Sequence, residues 1–303
     1  MSTTPASALV ILNQPSQHAP GSLDSVAPMR FVDPDEFHVG VRDLGITRGD
    51  GIFETIGAVS GTPQALEAHL RRFARSASAL DLPEPDTGAW RAAIAAVADA
   101  LAGHSEAAIK TIYTRGIEGH GRPTGWVHGV ASTDFTAARR DGLRVVTLDR
   151  GYRHDVASTS PWLLQGAKTL SYAVNSAALR EAQRRGADDV IFVSSDGVVL
   201  EGPTSTVVLL REGQLVTPGP GLPVLDGTTQ DSLFAFAAQR GIPTALELTT
   251  IEHLHSASAV WLVSSVRHAA PVTAVDGVLR AIPRAAEAEL TAQFNRYLAA
   301  RDA

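Results

Sequence analysis

The sequence predicts an α+β protein with two domains, each of which contains a β-sheet. In the first half, strand-like alternation is interspersed with segments that carry an apolar residue every three or four positions, as amphipathic helices do. In the second half, short apolar strands are joined by turn sequences such as Ser195-Asp196-Gly197 and Glu212-Gly213-Gln214. The 303 residues are 44% hydrophobic and 19% charged, which is enough apolar material for a sizeable core.

The N-terminal part of the chain is predicted to form a tail followed by a small α/β domain. Residues 1–30 are rich in serine, proline, threonine and glutamine, which is typical of a tail or a weak edge strand. Residues 31–150 are assigned to the small domain because strand and helix periods alternate there. Its predicted elements are a strand at Gly51–Val59, a helix with its apolar stripe on Leu66, Leu70, Phe73, Ala77 and Leu80, a helix with Trp90, Ile94, Val97 and Leu101 on one face, and strands at 108–114 and 143–148.

A linker and a larger domain are predicted to follow. Residues 151–165 show no clear period and contain Gly151 and Pro161, so we place an interdomain linker there. Residues 166–303 form the predicted C-terminal domain. Its predicted elements are helices at 172–185 and Thr228–Gln239, strands at 189–194, 198–201, 206–210 and 259–263, and a C-terminal helix that carries Leu290, Phe294 and Leu298.

Composition restricts the class of partner. A net charge of -6 and a pI near 5.9 argue against a nucleic-acid partner, and no block of like charge indicates a membrane surface. We therefore expect a small-molecule ligand. The absence of cysteine excludes disulfides, thiolate nucleophiles and sulfur-ligated metal centres.

The N-terminal residues are unlike a targeting signal. The apolar run at 8–12 has no basic residue before it, and the first arginine is Arg30, so the segment does not resemble a secretory signal. No apolar stretch is long enough to span a bilayer. These observations predict a cytoplasmic protein without a membrane association.

Lys168 is the first candidate catalytic residue. The chain has only two lysines, Lys110 and Lys168, whereas arginine supplies its other basic side chains. A lysine amine can lose its proton in an apolar pocket and condense with a carbonyl, which arginine cannot do. The alternative is codon bias in a GC-rich genome, which would leave the surviving lysines at random positions. On position alone, the two interpretations are equally supported.

A lysine that forms a Schiff base suggests pyridoxal phosphate, and this cofactor requires an acid beside its ring nitrogen. Glu201 is suited to that role because it lies at the end of a predicted strand, next to Gly202 and Pro203, where the backbone can turn at a ligand. The alternative is a solvated glutamate on an edge strand, which is the commoner situation for an isolated glutamate.

The cofactor phosphate requires backbone N–H groups, hydroxyls and a cation. Thr228 and Thr229 follow Gly227 at the start of a predicted helix, where free N–H groups and the helix dipole favour an anion. The same residues also suit ordinary helix capping. Ser265, after the apolar strand at 259–263, adds a hydroxyl or belongs to a plain loop. Arg72 lies on a helix beside its apolar face, where an inward guanidinium needs an anion, although most helix arginines are solvated.

Five motifs occur in the order seen in class IV, fold-type IV pyridoxal-phosphate enzymes, and the chain resembles that family over most of its length. The family includes branched-chain aminotransferases, D-amino-acid transaminases and 4-amino-4-deoxychorismate lyases, and the sequence is most similar to the lyases. The motifs are Gly49-Asp50-Gly51-Ile52-Phe53-Glu54-Thr55, His69-Leu70-Arg71-Arg72-Phe73-Ala74-Arg75-Ser76-Ala77, Lys168-Thr169-Leu170-Ser171, Glu201-Gly202-Pro203-Thr204-Ser205 and Gly227-Thr228-Thr229.

The resemblance implies a role for each cofactor-binding residue. Lys168 is expected to join the cofactor aldehyde covalently, Glu201 to bond the pyridine nitrogen, and Arg72, Thr229 and Ser265 to hold the phosphate. The fold is expected to be the two-domain fold of D-amino-acid aminotransferases. A homodimer is also implied, with loops of one subunit bordering the site of the other.

The sequence departs from the family pattern at two positions. Gln230 stands where many members have an arginine that follows the Gly-x-Thr turn. Phe53 stands where the D-amino-acid transaminases carry a tyrosine whose phenol helps to hold a substrate carboxylate, and this weakens the transaminase interpretation. Tyr172 and Asn175, one helical turn past Lys168, could face the cofactor or pack locally, and for Asn175 we favour packing.

The residues that bind the substrate are poorly defined, and the candidates are Phe53, Tyr172, Arg115 and Arg122. The two arginines, with His120 in the same loop, are candidates for the carboxylates because the lyase substrate is a dianion. They could equally be solvated charges. His253 and His255 alternate as on a strand, but no third ligand is evident, so no metal site is expected.

The resemblance implies a lyase that converts 4-amino-4-deoxychorismate into 4-aminobenzoate and pyruvate, a reaction of folate biosynthesis. The alternatives are a D-amino-acid or branched-chain transaminase, with dual activity among the possibilities. A third alternative is a pyridoxal-phosphate-binding protein without catalysis. Intact Lys168 and Glu201 argue against the third alternative, because a pure binder does not require both.

Overall fold

The computed structural model describes residues 4–12, 29–219, 221–280 and 284–300. The chain divides into two compact units. The first contains the described residues of Met1–Thr133 together with Ala167–Tyr172, and the second contains those of Asp134–Gly166 and Ala173–Arg301. Each unit has its own β-sheet, which confirms the predicted α+β class.

The first unit contains a six-stranded antiparallel sheet in the order β2-β1-β6-β5-β3-β4. Its longest ladder joins β3 and β5, from the pair Gly51 and Thr114 to the pair Val59 and Glu106. In chain order its elements are β1 (Ser7–Leu12), β2 (Met29–Val32), α1 (Leu44–Thr47), β3 (Gly51–Val59), β4 (Thr62–Pro63), α2 (Leu66–Ala79), α3 (Thr87–Ala100), β5 (Glu106–Thr114) and β6 (Thr124–Ala131).

One face of this sheet carries the core of the first unit. The rings of Phe73 on α2 and Trp90 on α3 lie 4.8 Å apart, and the Trp90 ring is 5.8 Å from that of Tyr113 on β5. All three side chains are buried. Since side chains alternate along a strand, Ile52 and Glu54 of β3 share the core face, whereas Phe53 lies on the other face.

The second unit contains a mixed sheet in the order β11-β10-β9-β12-β13-β7-β8, with β14 paired to β13. The β10–β11, β13–β7 and β7–β8 pairs are parallel, and the other pairs are antiparallel. In chain order its elements are α4 (Thr136–Asp141), β7 (Leu143–Asp149), α5 (Val156–Thr159), a 3₁₀ turn (Pro161–Leu163), α6 (Ala173–Arg184), β8 (Asp189–Val193), β9 (Thr206–Arg211), β10 (Gln214–Pro218), α7 (Thr228–Gln239), β11 (Thr244–Glu247), α8 (Ile251–Ser256), β12 (Ala259–Ser264), β13 (His268–Val275), β14 (Val278–Leu279) and α9 (Arg284–Ala300).

Strand β12 is buried on both faces. Val260 and Leu262 pack into one apolar cluster, while Trp261 packs into another with Phe236 of α7 and Phe294 of α9. The β9–β10 hairpin closes through a two-residue turn, Glu212 and Gly213, whose φ angles are 50° and 78°. The sequence predicts a hairpin turn here, and the two successive positive φ angles make it type I′.

The N-terminal prediction is wrong for the residues that the structure describes. Strand β1 lies between β2 and β6, so it is an interior strand and not a tail or an edge strand. Ala8, Leu9, Val10 and Leu12 are buried, which explains why so short an apolar run is held in the sheet. Residues 13–28 lie outside the described part of the chain. Strand β6, which pairs with both β1 and β5, was not predicted.

The domain boundaries also differ from the predicted 31–150, 151–165 and 166–303. Strand β7 pairs with β13 and β8, so its residues belong to the second unit, as do residues 151–165. Residues 167–172 belong to the first unit because the N–H of Phe53 donates to the Lys168 carbonyl and the N–H of Leu170 donates to the Gly51 carbonyl. Strand pairing, which is not visible in local composition, decides both assignments.

Two local predictions are corrected. Residues 198–201 form only isolated bridges, between Val193 and Val199 and between Val198 and Thr250, and not a strand. His253 lies on helix α8, where its ring nitrogen accepts from the N–H of Thr250 in a capping box, so the strand predicted around the two histidines is wrong. In the described part of the chain, every helix is too short or too polar to cross a membrane.

Candidate active site

The backbone of Lys168 is fixed from two sides within the first unit. Its carbonyl accepts from the N–H of Phe53 on β3 at 3.0 Å, and its N–H donates to the Ser76 hydroxyl on α2 at 3.1 Å. A bridge between Ile52 and Thr169 continues the pairing with β3. The lysine therefore stands on a short segment that the sheet and a helix hold in place.

The side chain of Lys168 lies against two aromatic rings. Its Nζ atom is 4.4 Å from the centroid of the Phe53 ring and 5.8 Å from that of Tyr172. The two rings meet edge to face, 5.2 Å apart and at 88°. Both ring faces attract a cation, and both rings present apolar surface to the amine. The structure thus brings Lys168 together with two of the predicted substrate-binding residues.

Arg72 points inward and is 5% exposed, and its partner is Glu54. Its Nε donates to Oε1 of Glu54 and its Nη2 donates to Oε2, both at 2.7 Å, while His69 Nδ1 donates to Oε2 at 2.8 Å. Burial alone would raise the pKa of Glu54, but the charge and hydrogen bonds of Arg72, with those of His69, outweigh it and hold that pKa well below its usual range.

The sequence reasoning singled out Arg72 but missed Glu54 and His69. A signal was present, because Glu54 alternates with Phe53 on a strand whose neighbouring residues on the same face, Ile52 and Ile56, are apolar. A carboxylate on such a face requires a buried cation.

Arg115 serves a structural purpose. Its Nε and Nη2 donate to the carboxylate of Asp50 at 2.6 and 3.2 Å, and Nη2 also donates to the carbonyl of Leu80 at 2.6 Å. Its Nη1 donates to the carbonyl of Asp81 at 3.2 Å. The guanidinium therefore caps the carbonyls at the end of α2. Arg122 is exposed in the loop before β6.

Glu201 lies in the second unit, where its side chain is half-buried. Its Oε2 accepts from the N–H of Leu225 at 3.0 Å, and its backbone carbonyl accepts from the N–H of Phe192 on β8 at 2.8 Å. A Cβ atom on Gly202 would stand 2.4 Å from the Ser205 hydroxyl, so only glycine fits beside the acid. The hydroxyl of Ser205 is buried and has no hydrogen-bond partner among the described residues.

A polar network that the sequence reasoning missed lies near Glu201. Arg150 Nε donates to the Tyr152 hydroxyl at 3.1 Å, and that hydroxyl donates to Gln165 at 2.8 Å. Burial raises the pKa of Tyr152, and the charge of Glu201 adds to this against the opposing effect of Arg150. The sequence feature that could have indicated this network is the group of polar residues within 151–165, the segment predicted to be a linker.

Asn175 joins the same network. Its side-chain oxygen accepts from Arg150 Nη2 at 3.3 Å, and its amide nitrogen donates to the carbonyl of Pro203 at 2.8 Å. Asn175 therefore holds the segment that follows Glu201, and the packing role predicted for it is replaced by hydrogen bonding.

Three hydroxyl groups meet at the start of α7. The hydroxyls of Thr228 and Thr229 each lie 3.4 Å from the hydroxyl of Ser265, and all three residues are buried. Gly227 occupies the N-cap position and has no side chain to bond the first N–H groups of the helix. A Cβ atom on Gly227 would stand 2.4 Å from the Thr206 hydroxyl. The backbone at position 227 therefore passes so close to Thr206 that only glycine fits.

These features fit the groups that pyridoxal phosphate presents. A helix start with clustered hydroxyls suits a phosphate, a half-buried carboxylate suits a protonated pyridine nitrogen, and an amine between apolar rings suits an aldehyde. The buried Ser205 hydroxyl is a further polar atom that a ligand could satisfy. The described residues therefore meet the demands of this cofactor.

Comparison with known proteins decides the family. The model of the amino-transferase class IV family matches residues 51–275. The chain belongs to the class IV aminotransferases. The bifunctional aminodeoxychorismate lyase/D-amino acid transaminase of Mycobacterium tuberculosis is 44% identical over 262 residues, which cover 83% of this chain and 90% of that protein.

Two solved structures show the same fold. A fold IV transaminase from Curtobacterium pusillum is 51% identical, with 98% of each chain covered and a TM-score of 0.90. A hypothetical aminotransferase from Mycobacterium tuberculosis in a PLP-bound form is 40% identical, covers 97% of this chain and 99% of its own, and has a TM-score of 0.87. The expected fold-type IV architecture is confirmed. This class IV aminotransferase is a pyridoxal-phosphate-dependent enzyme, as the resemblance implied.

Proposed function

We propose that this class IV aminotransferase is a 4-amino-4-deoxychorismate lyase that forms 4-aminobenzoate and pyruvate. The contact of Lys168 with Phe53 carries the proposal, since D-amino-acid transaminases have at this position a tyrosine that helps to hold a substrate carboxylate. Similarity to a bifunctional lyase and transaminase of Mycobacterium tuberculosis supports the same assignment. D-Amino-acid transamination is the second candidate, and the same relative favours it. Similarity to the fold IV transaminase from Curtobacterium pusillum supports transamination without indicating a substrate.

We assign the cofactor contacts by residue. Lys168 holds the aldehyde, Glu201 bonds the pyridine nitrogen, and the phosphate is held by Arg72 together with the hydroxyl cluster. That cluster consists of Thr228, Thr229 and Ser265. When bound, pyridoxal phosphate supplies an electron-withdrawing ring to which the substrate amine becomes attached.

The amine of Lys168 acts as the base in both candidate reactions. With pyridoxal phosphate and substrate bound, Lys168 Nζ would remove the proton from the substrate carbon that bears the amine. Phe53 and Tyr172 exclude water from the side of the amine that they cover. Because Lys168 stands on a segment held by β3 and α2, its nitrogen is positioned before the substrate arrives.

The two reactions diverge after the proton has been removed. In the lyase reaction, the enolpyruvyl ether bond breaks, the ring becomes aromatic, and the proton held by Lys168 returns to the departing enolpyruvyl carbon to give pyruvate. In transamination, Lys168 Nζ would deliver the same proton to bound pyridoxal phosphate, which would keep the amino group, while water would supply the oxygen of the keto acid that leaves. The residues that bind the substrate carboxylates determine which of the two reactions follows. Arg122 and Tyr172 are our candidates for this role.

A direct comparison of substrates tests the proposal. Purified protein is incubated with aminodeoxychorismate and, separately, with D-alanine plus 2-oxoglutarate, and kcat/KM is obtained for each reaction. Aminobenzoate is measured by its fluorescence and D-glutamate by chromatography, because both reactions release pyruvate. We expect aminobenzoate formation to dominate. A large preference for the amino-acid pair, with no aminobenzoate formed, overturns the lyase assignment, and no turnover in either assay would favour a pure cofactor-binding protein.

We also propose that the protein is a homodimer, as the family resemblance implies. The described residues of the first unit include exposed large apolar side chains that a subunit interface would cover. These are Phe31, Phe37, Val41 and Ile46. Light scattering coupled to size-exclusion chromatography tests the assignment: we expect twice the chain mass of 31.9 kDa, and a particle of one chain mass contradicts it.

A further inference from the structure

The buried cluster of Glu54, His69 and Arg72, hereafter the Glu54 cluster, is more elaborate than a phosphate-binding arginine requires. Arg72 and Glu54 share two hydrogen bonds of 2.7 Å, and His69 adds a third to Oε2 of Glu54. Glu54 and His69 are essentially without solvent exposure. Burying a carboxylate in this way is costly unless every oxygen is bonded, so the geometry of the cluster is strongly constrained.

The bonding pattern fixes the plane of the Arg72 guanidinium. The pair uses Nε and Nη2 against both carboxylate oxygens, which turns the Nη1 edge away from Glu54. An ionised carboxylate only accepts hydrogen bonds, so His69 Nδ1 carries the hydrogen and holds Oε2 from the other side. The N–H of Glu54 donates to the Thr111 hydroxyl at 3.2 Å, which anchors the acid to β5.

The cluster is connected to the lysine through the same two elements. Residues 69, 72 and 76 follow one another at spacings of three and four, so His69, Arg72 and Ser76 share one face of α2. Ser76 accepts the hydrogen bond from the Lys168 N–H, and Phe53, the neighbour of Glu54 on β3, contacts the Lys168 amine. One strand and one helix therefore place both Arg72 and Lys168.

We propose that Glu54 and His69 are positioning residues that orient the Arg72 guanidinium toward the cofactor phosphate. The inference rests on the role in phosphate binding proposed above for Arg72. Glu54 fixes the guanidinium plane, and His69 fixes the carboxylate that does so. A purely structural cluster, which only packs α2 against the sheet, would stabilise the first unit without affecting recognition of the phosphate.

The affinity ratio of pyridoxal and pyridoxal phosphate separates these two roles. The two ligands differ only in the phosphate, so their Kd ratio, measured by absorbance titration of the cofactor-free full chain, reports the phosphate contacts alone. The variants are Glu54→Gln, His69→Leu and Arg72→Gln. Glu67→Gln on the same helix is the control, because its ion pair with Arg91 is exposed.

We expect Glu54→Gln to reduce the preference for the phosphorylated ligand by about tenfold or more, the size expected when a hydrogen bond to a charged group is misaligned. His69→Leu should reduce it by about threefold or more, and Glu67→Gln should leave it unchanged. Binding of pyridoxal itself should change by less than about twofold in each variant.

The outcomes distinguish the inference from the assignment on which it rests. If Arg72→Gln, which lacks the positive charge, retains the wild-type preference, Arg72 does not bind the phosphate and the proposed role itself is wrong. If Arg72→Gln loses the preference but Glu54→Gln and His69→Leu retain it, only the positioning inference is wrong. Should Glu54→Gln fail to fold, His69→Leu decides alone, because that variant leaves the bidentate pair in place: an unchanged ratio then overturns the inference.

Discussion

The Nζ atom of Lys168 lies 4.4 Å from the centroid of the Phe53 ring, and Phe53 is the strand neighbour of Glu54, which binds Arg72. Side chains alternate along β3, so one strand presents an aromatic ring to the lysine on one face and an acid to the arginine on the other. The two candidate cofactor contacts of the first unit thus depend on the register of a single strand.

Replacement of Lys168 by alanine should abolish turnover. General acid–base catalysis alone contributes about 10²–10⁴-fold, and the covalent attachment is lost as well, so a loss of at least that size is expected. Lys110→Ala is the matched control, because Lys110 is the other lysine of the chain and is exposed on β5. Borohydride reduction followed by peptide mapping should label Lys168 alone. Labelling of Lys110, or activity retained in Lys168→Ala, contradicts the assignment.

Replacement of Phe53 by tyrosine should shift the balance toward transamination. The added hydroxyl supplies the hydrogen-bond donor for a substrate carboxylate that D-amino-acid transaminases have at this position. A hydrogen bond to a charged group corresponds to about tenfold in affinity, so the ratio of kcat/KM for D-alanine to that for aminodeoxychorismate should rise by about that factor. Phe53→Leu, which has no donor, should not raise the ratio. An equal effect of both substitutions would refute the hydroxyl explanation.

Local patterns in the sequence predicted the positions that depend on local chemistry. The stripe of α2, the turn at Glu212 and Gly213 and the helix start at Thr228 all follow from spacing and residue type. Long-range pairing was not predictable in this way. The interior place of β1 depends on its pairing with β6, more than a hundred residues away, and the assignment of β7 depends on β13.

The same limit applies to the candidate site. An inward arginine at position 72 followed from the helix period, but its partner Glu54 lies on another element and became evident only in three dimensions. Arg115 was a candidate substrate ligand because the lyase substrate is a dianion, whereas in the structure it binds Asp50 and the end of α2. The Gln165 side chain bonds Tyr152, although composition suggested a linker there.

Arg115 and Arg122 should respond differently to substitution. Arg115→Ala removes a partly exposed ion pair and two bonds to helix carbonyls, so the free energy of unfolding should fall by about 1–3 kcal/mol while KM stays within about twofold. Arg122→Ala should leave stability within about 0.5 kcal/mol and raise KM for aminodeoxychorismate by about tenfold. Urea unfolding and steady-state kinetics measure both quantities. A KM change in Arg115→Ala with unaltered stability would reverse these assignments.

Replacement of Glu201 by glutamine should reduce kcat by about 10²–10³-fold, as expected when a charge that stabilises the transition state is removed. Folding should be preserved, because the glutamine oxygen can still accept from the N–H of Leu225. Glu212→Gln in the exposed hairpin turn is the control and should have wild-type kcat. The cofactor content of each variant is measured by absorbance, so that a loss of rate is separated from a loss of cofactor. Wild-type kcat in Glu201→Gln would exclude the proposed bond to the pyridine nitrogen.

Tyr113 should make the stability of the protein depend on pH in the alkaline range. Burial raises the pKa of Tyr113 to about 12, from an ordinary value near 10. Below pH 10, the phenol is protonated in both the folded and the unfolded chain, so this contribution is fully present. Between about pH 10 and 12 the unfolded chain loses the proton more readily, and the free energy of unfolding should fall by about 2–3 kcal/mol in total.

Tyr113→Phe cannot ionise and should lack this decline, although titrations elsewhere in the chain will be common to both proteins. Urea unfolding of the two proteins at a series of pH values measures the difference, and ultraviolet absorbance should show one fewer phenol titrating near pH 12 in the variant. Parallel declines in the two proteins would show that Tyr113 ionises at its ordinary pKa and that burial among Phe73 and Trp90 does not oppose its charge.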